Sequence, residues 1–166
     1  KVDGKTLADE IYKPVTNYLE HKDKTTSEDV NPFYISPKNL QFRLQKITDE
    51  YGAGIATLYT TNGKMLEEAL KLLTLLKEDS ENMRASTLHE LMRAWENYHR
   101  IITAEAHLRH INFREESRYP GFYYRSDFPH LDEEKWKCFV NSKMNLETGE
   151  WEIFTRAHVD LVPKNV

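Results

Sequence analysis

The sequence predicts a mainly α fold: an up-down antiparallel helical bundle of three to four helices, spectrin-repeat-like, with an irregular segment and a C-terminal β-hairpin. Three observations predict it. Apolar residues recur three and four apart through long stretches before Arg114, the period of an amphipathic helix. Helix-start signals head two of those stretches: Ser36-Pro37, and Thr87 with Glu90 three residues on. After Arg114 the texture turns to Tyr, Pro, Gly and Arg, and then to two aromatic, β-branched runs around a turn.

The first helix is expected from about Thr6 to His21, on Leu7, Ile11, Val15, Tyr18 and Leu19. Pro14 lies inside it, lacks an N–H and crowds the carbonyl of Glu10, so a kink or two short helices are expected. Lys22–Pro32 is polar and reads as an exposed loop. The second helix opens with the Ser36 hydroxyl as cap and Pro37 at the first helical position, where a missing N–H does no harm. Leu40, Leu44, Ile47, Tyr51, Ile55 and Leu58 continue it as a narrow seam. Gly52 and Gly54 interrupt the seam, each at about 1 kcal/mol relative to Ala, and Asn62-Gly63 marks a turn.

The third helix carries Met65, Leu66, Ala69, Leu70, Leu72, Leu73, Leu75 and Leu76, a stripe wide enough for neighbours on two sides, and ends near Asn82. The fourth runs from a Thr87 cap to about Phe113, roughly 40 Å at about 1.5 Å per residue. One apolar face of it is Leu88, Leu91, Met92, Trp95, Tyr98, Ile102 and Ala106; a second is Ile101, Ala104, Leu108 and Ile111. Short connections make such helices antiparallel neighbours. Trp136–Val140 and Trp151–Phe154 are expected to pair as a hairpin about Glu147–Glu150. A lone hairpin is marginal in water, so it must pack on the bundle or on a partner. The expected organisation is therefore 1–135 as bundle with an irregular Arg/Tyr-rich segment 116–135, and 136–166 as hairpin and tail.

The 166 residues suit one domain, and 39% hydrophobic with 30% charged residues is polar for that length. The 11% aromatic content argues against disorder. Such a chain fits a peripheral domain whose leftover apolar surface docks onto something larger. A net charge of −4 leaves no electrostatic footprint for nucleic acid. No stretch approaches the roughly 20 apolar residues of a membrane span, and no signal peptide opens the chain. The single cysteine, Cys138, excludes an intrachain disulfide and points to a cytoplasmic setting. The start Lys1-Val2-Asp3-Gly4 lacks an initiator Met, the pattern of a piece of a longer polypeptide or of processing.

Each chemical candidate has an ordinary reading beside it. Gly52-Ala53-Gly54 puts Thr57 where a dinucleotide fingerprint needs its third glycine, and a helical pattern precedes it. Asn62-Gly63-Lys64 lacks the rest of a phosphate-binding loop and reads as a turn. Glu96 and His99 form one half of a di-iron motif whose other half and two further glutamates are missing. His107 and His110 share a helix face and could join Glu105 or Glu116 on a metal, an incomplete set. A free-standing metal-binding, di-iron-like bundle is the alternative function class. Cys138 reads as a packed thiol. No catalytic, cofactor-binding or metal-ligating residue is assigned. The bases and aromatics of Arg118–Arg125 favour an inter-domain or subunit interface, since Arg and Tyr are what such contacts prefer. Its expected residues are Glu116, Ser117, Arg118, Tyr124, Arg125, Asp127 and Trp136. Arg118 and Arg125 are expected to pair with Glu116, Asp127 or carboxylates of a neighbouring domain.

These residues also carry a resemblance. Glu116-Ser117-Arg118, then Tyr124-Arg125-Ser126-Asp127-Phe128-Pro129, then Trp136, resembles the closing segment of the fumarate reductase/succinate dehydrogenase flavoprotein family. There it looks like E-S-R-G-x-H-x-R-x-D-Y/F-P followed by a Trp. Here Tyr119–Tyr123 replaces the Gly-x-His linker, a departure similar to that of the adenylylsulfate reductase α-subunit branch. Tyr12-Lys13-Pro14-Val15, Asp29-Val30-Asn31-Pro32, Leu40–Ile47, Leu88–Glu96, Thr103–His107 and Trp136–Val140 are similar to the same branch. The resemblance implies the C-terminal helical assembly domain of a flavoprotein (α) subunit. It implies an enzyme that interconverts adenosine 5′-phosphosulfate and AMP plus sulfite, and partners in a preceding FAD-binding domain and an iron–sulfur β subunit with two 4Fe–4S clusters. The catalytic residues would lie on the preceding domains, leaving this segment inactive alone.

Overall fold

The computed structural model describes residues 3–21, 34–118, 123–145 and 147–159. In chain order its elements are α1 (Gly4–His21), α2 (Pro37–Tyr51), a 3-10 turn (Ile55–Thr57), β1 (Thr60–Thr61), α3 (Gly63–Ser80) and α4 (Leu88–Phe113). Then follow β2 (Tyr124–Arg125), α5 (Glu133–Trp136), β3 (Cys138–Met144) and β4 (Trp151–Ala157). The fold is mainly helical with a small C-terminal antiparallel pair, as predicted. The expected loop at Lys22–Pro32 lies outside the described residues. The chain groups into two compact units, one from 1–48 and 69–105, the other from 49–68 and 106–166.

In the first unit, α1 begins where the Asp3 carboxylate accepts the Thr6 N–H at 3.1 Å. It continues as one helix through Pro14 rather than splitting. Pro14 is buried, and its carbonyl accepts the Ala85 N–H at 2.9 Å, so tertiary contacts hold the segment that proline weakens locally. At the start of α2 the Ser36 hydroxyl accepts the Asn39 N–H at 3.3 Å, as expected. The core takes Leu40 and Leu44 from α2, Ala69, Leu73 and Leu76 from α3, and Leu91, Ala94 and Ile101 from α4. The α3 stripe is therefore narrower than expected, and Leu75 is exposed.

The expected first face of α4 is also corrected, except at Leu91, which is buried. Leu88 is 81% exposed and Trp95 and Tyr98 are only half-buried. The buried line is the second face, extended towards the N-terminus through Ala94 and Asn97. Asn97 is completely buried, and its amide donates to the Pro37 carbonyl at 2.7 Å. A polar residue whose hydrogen bond is satisfied can occupy a core position that a hydrophobicity pattern assigns elsewhere. The α4 cap is as read in part: the Glu90 N–H donates to the Thr87 hydroxyl at 3.2 Å, but the Glu90 carboxylate reaches back to the Ser86 N–H at 2.7 Å.

In the second unit the α2 seam breaks at Tyr51. Ala53 turns into the left-handed region at φ 65°, and the Gly54 N–H bonds the Asp49 carbonyl at 3.2 Å. Ile55 and Leu58, expected on the seam, are instead 72% and 83% exposed. A short parallel pair absent from the sequence reading follows, with Thr60 opposite Tyr124 and Thr61 opposite Arg125. Trp136 is not in a strand. Asp132 accepts the Lys135 N–H at 2.9 Å and caps one helical turn, α5, which buries the indole. The hairpin begins at Cys138, registers from Cys138–Ala157 to Met144–Trp151, and turns at Gly149 with φ 71°.

Candidate functional site

The expected interface residues lie in the second unit and resolve into two ion-pair assemblies. The first is built on Arg125, whose side chain is 2% exposed. Its guanidinium meets Asp127 with two parallel bonds, Nε to Oδ1 at 2.8 Å and Nη2 to Oδ2 at 2.7 Å. Its remaining edge donates to the carbonyls of Ile111 at 2.6 Å and Asn112 at 3.2 Å, at the end of α4. Those carbonyls have no partner within the helix and carry the negative end of its dipole, so a cation belongs there. Asp127 makes the complementary contact: its Oδ2 accepts the Gly63 N–H at 2.8 Å, at the positive start of α3. One salt bridge thus ties a helix end to a helix start, each by the charge it favours. Arg125 holds the Asp127 carboxyl down at about 2, with the Gly63 N–H helping against partial burial.

Ser117 fixes the strand that carries Arg125. Its hydroxyl accepts the Arg125 N–H at 2.8 Å and donates to the Phe128 carbonyl at 2.8 Å. Phe128 lies under the Arg125 guanidinium, 5.1 Å away. Tyr124, one residue earlier, points no buried group inward: it is 44% exposed and joins the sheet through its N–H, 2.8 Å from the Tyr59 carbonyl.

The second assembly centres on Glu116, whose side chain has no exposed surface. Arg118 reaches it through Nε at 2.6 Å and Nη2 at 3.1 Å, the Asp132 N–H donates at 3.0 Å, and Arg114 forms a further ion pair. Burial alone would raise the Glu116 carboxyl, but the bonds from Arg118, the Asp132 N–H and Arg114 outweigh it and hold it below the ordinary carboxylate range. Arg118 spends its outer nitrogen on Glu133 at 2.7 Å. Arg114 also donates to the carbonyls of Trp136 at 3.0 Å and Cys138 at 2.7 Å, and lies 5.5 Å over the Trp136 ring. Trp136 meets Phe113 edge-on, with ring centres 5.8 Å apart.

Glu116, Arg118 and Trp136 are therefore together, as are Ser117, Arg125 and Asp127. Within the chain, Arg118 pairs with Glu116 and Arg125 with Asp127. No sequence pattern marks Arg114. It looked like a helix end, and its role depends on carbonyls that no residue pattern reveals. Gly63 is unmarked for the same reason: its amide, not its flexibility, is what Asp127 binds.

Of the remaining candidates, Glu96 and His99 are otherwise occupied. Glu96 is engaged by Arg93 at 2.8 Å and Arg100 at 3.1 Å, and His99 packs on Trp95. Gly54 follows the end of α2 and precedes the 3-10 turn, and a Cβ there would lie 2.7 Å from the Asp49 carbonyl oxygen. A cleft of about 540 Å³ lies beside His110, Arg114, Trp136 and Cys138. Among the described residues no group of three or more His, Cys, Asp or Glu could hold a metal ion. No helix among them is long and apolar enough to cross a membrane.

Comparison with known proteins gives the family. The chain is 52% identical over 153 residues to the adenylylsulfate reductase subunit alpha of Megalodesulfovibrio gigas, covering 92% of this chain and 23% of that protein. It matches a solved adenylylsulfate reductase from Archaeoglobus fulgidus with a TM-score of 0.91 and 51% identity, over 98% of this chain and 26% of that one. A quinol fumarate reductase chain from E. coli, 12% identical, shares the fold at a TM-score of 0.70, over 96% of this chain and 25% of its own length. The chain thus spans about a quarter of the length of these relatives. Residues 52–163 match the family described as the fumarate reductase flavoprotein C-terminal region, and the chain belongs to that family.

Proposed function

We propose that the chain is the C-terminal helical assembly domain of the flavoprotein (α) subunit of an adenylylsulfate reductase, working in the cytoplasm. The observation that carries this reading is the 52% identity to such a subunit across 92% of the chain. The whole enzyme, on this reading, interconverts adenosine 5′-phosphosulfate and AMP plus sulfite. FAD belongs to the preceding domain of the same subunit, and two 4Fe–4S clusters belong to the β subunit. FAD is not assigned to this chain, because its one G-x-G lies in the turn after α2, where Asp49 crowds Gly54, and not between a strand and a helix. The chain's contribution is shape, and it is inactive alone.

Glu116, Ser117, Arg118, Tyr124, Arg125, Asp127 and Trp136 form the interface element of this reading, with the hairpin and tail of 136–166 packed on the bundle or against the partner subunit. Glu116 and Arg125 are too deeply buried to touch a neighbour, so they act as positioning residues. They fix the course of the backbone that presents Tyr124 outward. Bidentate arginine pairs suit that task, because the planar fork defines an orientation as well as a distance.

The test is Arg118→Ala in the full-length α subunit, produced with its β subunit. Reduced flavin content or reduced αβ assembly supports the reading. Wild-type assembly, flavin content and turnover reject the interface role of this segment.

A further inference from the structure

Between α2 and β1 the backbone is strained and displays apolar side chains at the same place. Ala53, Leu58 and Tyr59 have φ of 65°, 51° and 60°, a region that disfavours every side chain larger than glycine's. Ile55 is 72% and Leu58 83% exposed. The turn is nonetheless tied on all sides. The Ala56 N–H donates to Asp49 Oδ1 at 3.1 Å, and the Thr57 and Tyr59 N–H groups share the Gly54 carbonyl at 3.2 and 2.9 Å. The Leu58 N–H donates to the Ile55 carbonyl at 3.0 Å, and the Tyr59 carbonyl accepts from Tyr124. Tyr59 and Tyr124, 43% and 44% exposed, stand beside the turn where β1 meets β2. Strain that a structure holds in place, rather than relaxes, belongs to sites whose shape is used.

We propose that this knob, Ile55 and Leu58 flanked by Tyr59 and Tyr124, is the anchor that docks the chain onto the preceding, flavin-bearing portion of its own subunit. The proposal rests on the functional reading above and adds to it the contact surface. The length of the relatives favours this occupant over a separate chain. The relatives extend to about four times the length matched here, since the chain covers 26% of a solved one, so most of such a subunit lies outside these residues. The four side chains carry no charge, so the contact they offer is apolar. A partner on the same polypeptide is held at high effective concentration, so a small preformed knob suffices where a diffusing partner would need a larger surface.

Hydroxyl-radical footprinting of the full-length subunit tests this. Labelling of Ile55 and Leu58 is measured by mass spectrometry in the folded subunit alone, in the αβ complex, across a dilution series and in urea. An uncovered knob with the exposure given above labels almost as fast as the unfolded chain. The expected result is several-fold protection in the α subunit alone, unchanged by dilution or by the β subunit. Labelling near the unfolded rate in every state overturns the proposal. So does protection that requires the β subunit, or that disappears on dilution as for a second copy. Flavin content and adenylylsulfate turnover of the same preparations report separately. A subunit without flavin that still protects the knob would fail the functional reading and keep the docking.

Discussion

Replacing Arg125 with Met keeps most of the aliphatic stem and removes the guanidinium that joins α4 to α3. The substitution deletes the double bond to Asp127 and the donations to the Ile111 and Asn112 carbonyls. Breaking one partner of a buried ion pair costs about 3–5 kcal/mol, and an orphaned buried carbonyl about 1–3 kcal/mol. Two features reduce the sum. The Asp127 side chain is 32% exposed and keeps the Gly63 N–H, so water can serve the abandoned carboxylate. The Met stem preserves much of the packing. About 3 kcal/mol remains, chiefly from the carbonyls at the α4 end. Asp127→Ala should cost less, about 1–2 kcal/mol, because Arg125 keeps its helix carbonyls and their dipole. Urea unfolding of the 166-residue chain, followed by circular dichroism, measures both. A loss below about 1 kcal/mol for Arg125→Met, or the reverse order of the two variants, would refute the reasoning.

Acid sensitivity follows from the same pair. The Asp127 carboxyl lies at about 2 in the folded chain against an ordinary value of 3.8, so its contribution is complete above about pH 4 and is lost as pH falls through 2. Unfolding midpoints measured from pH 5 to pH 2 should therefore decline less steeply in Arg125→Met than in the parent. Leu58→Gly should stabilise the 166-residue chain by about 0.5–1 kcal/mol, since glycine accepts φ 51° and the lost side chain is in water. A destabilisation measured by the same unfolding assay would mean the turn is not strained. Thr87→Ala should lower stability by about 1 kcal/mol through loss of the α4 cap, and an unchanged midpoint would show that Glu90 and Ser86 hold the helix start by themselves.

Local chemistry was legible where it was decided locally. Ser36-Pro37 and Thr87 announce helix starts because a hydroxyl and a missing N–H act within one turn. Glu116 with Arg118, and Arg125 with Asp127, are close enough in sequence for their pairing to be read from spacing. Periodicity failed where one backbone event overrode it: Ile55 and Leu58 keep the spacing of the α2 seam, but Ala53 has already turned the chain out of the helix. Trp136 was misplaced because an aromatic run reads as strand, while the Asp132 side chain quietly caps a helical turn beneath it. The pairing of Thr60–Thr61 with Tyr124–Arg125 joins residues 64 apart and leaves no periodic trace in either. Carbonyl acceptors are invisible to any reading of side chains. That is why Arg114 and the α4 end stayed hidden while the carboxylates they work beside did not.

On the proposed reading this chain supplies architecture to a flavoprotein and no chemistry of its own. Purified 166-residue chain can be scanned for flavin absorbance and assayed for adenosine 5′-phosphosulfate turnover, before and after adding free FAD. The expected result is a colourless protein with no turnover in either condition. Bound flavin, or sulfite released by this chain alone, would contradict it.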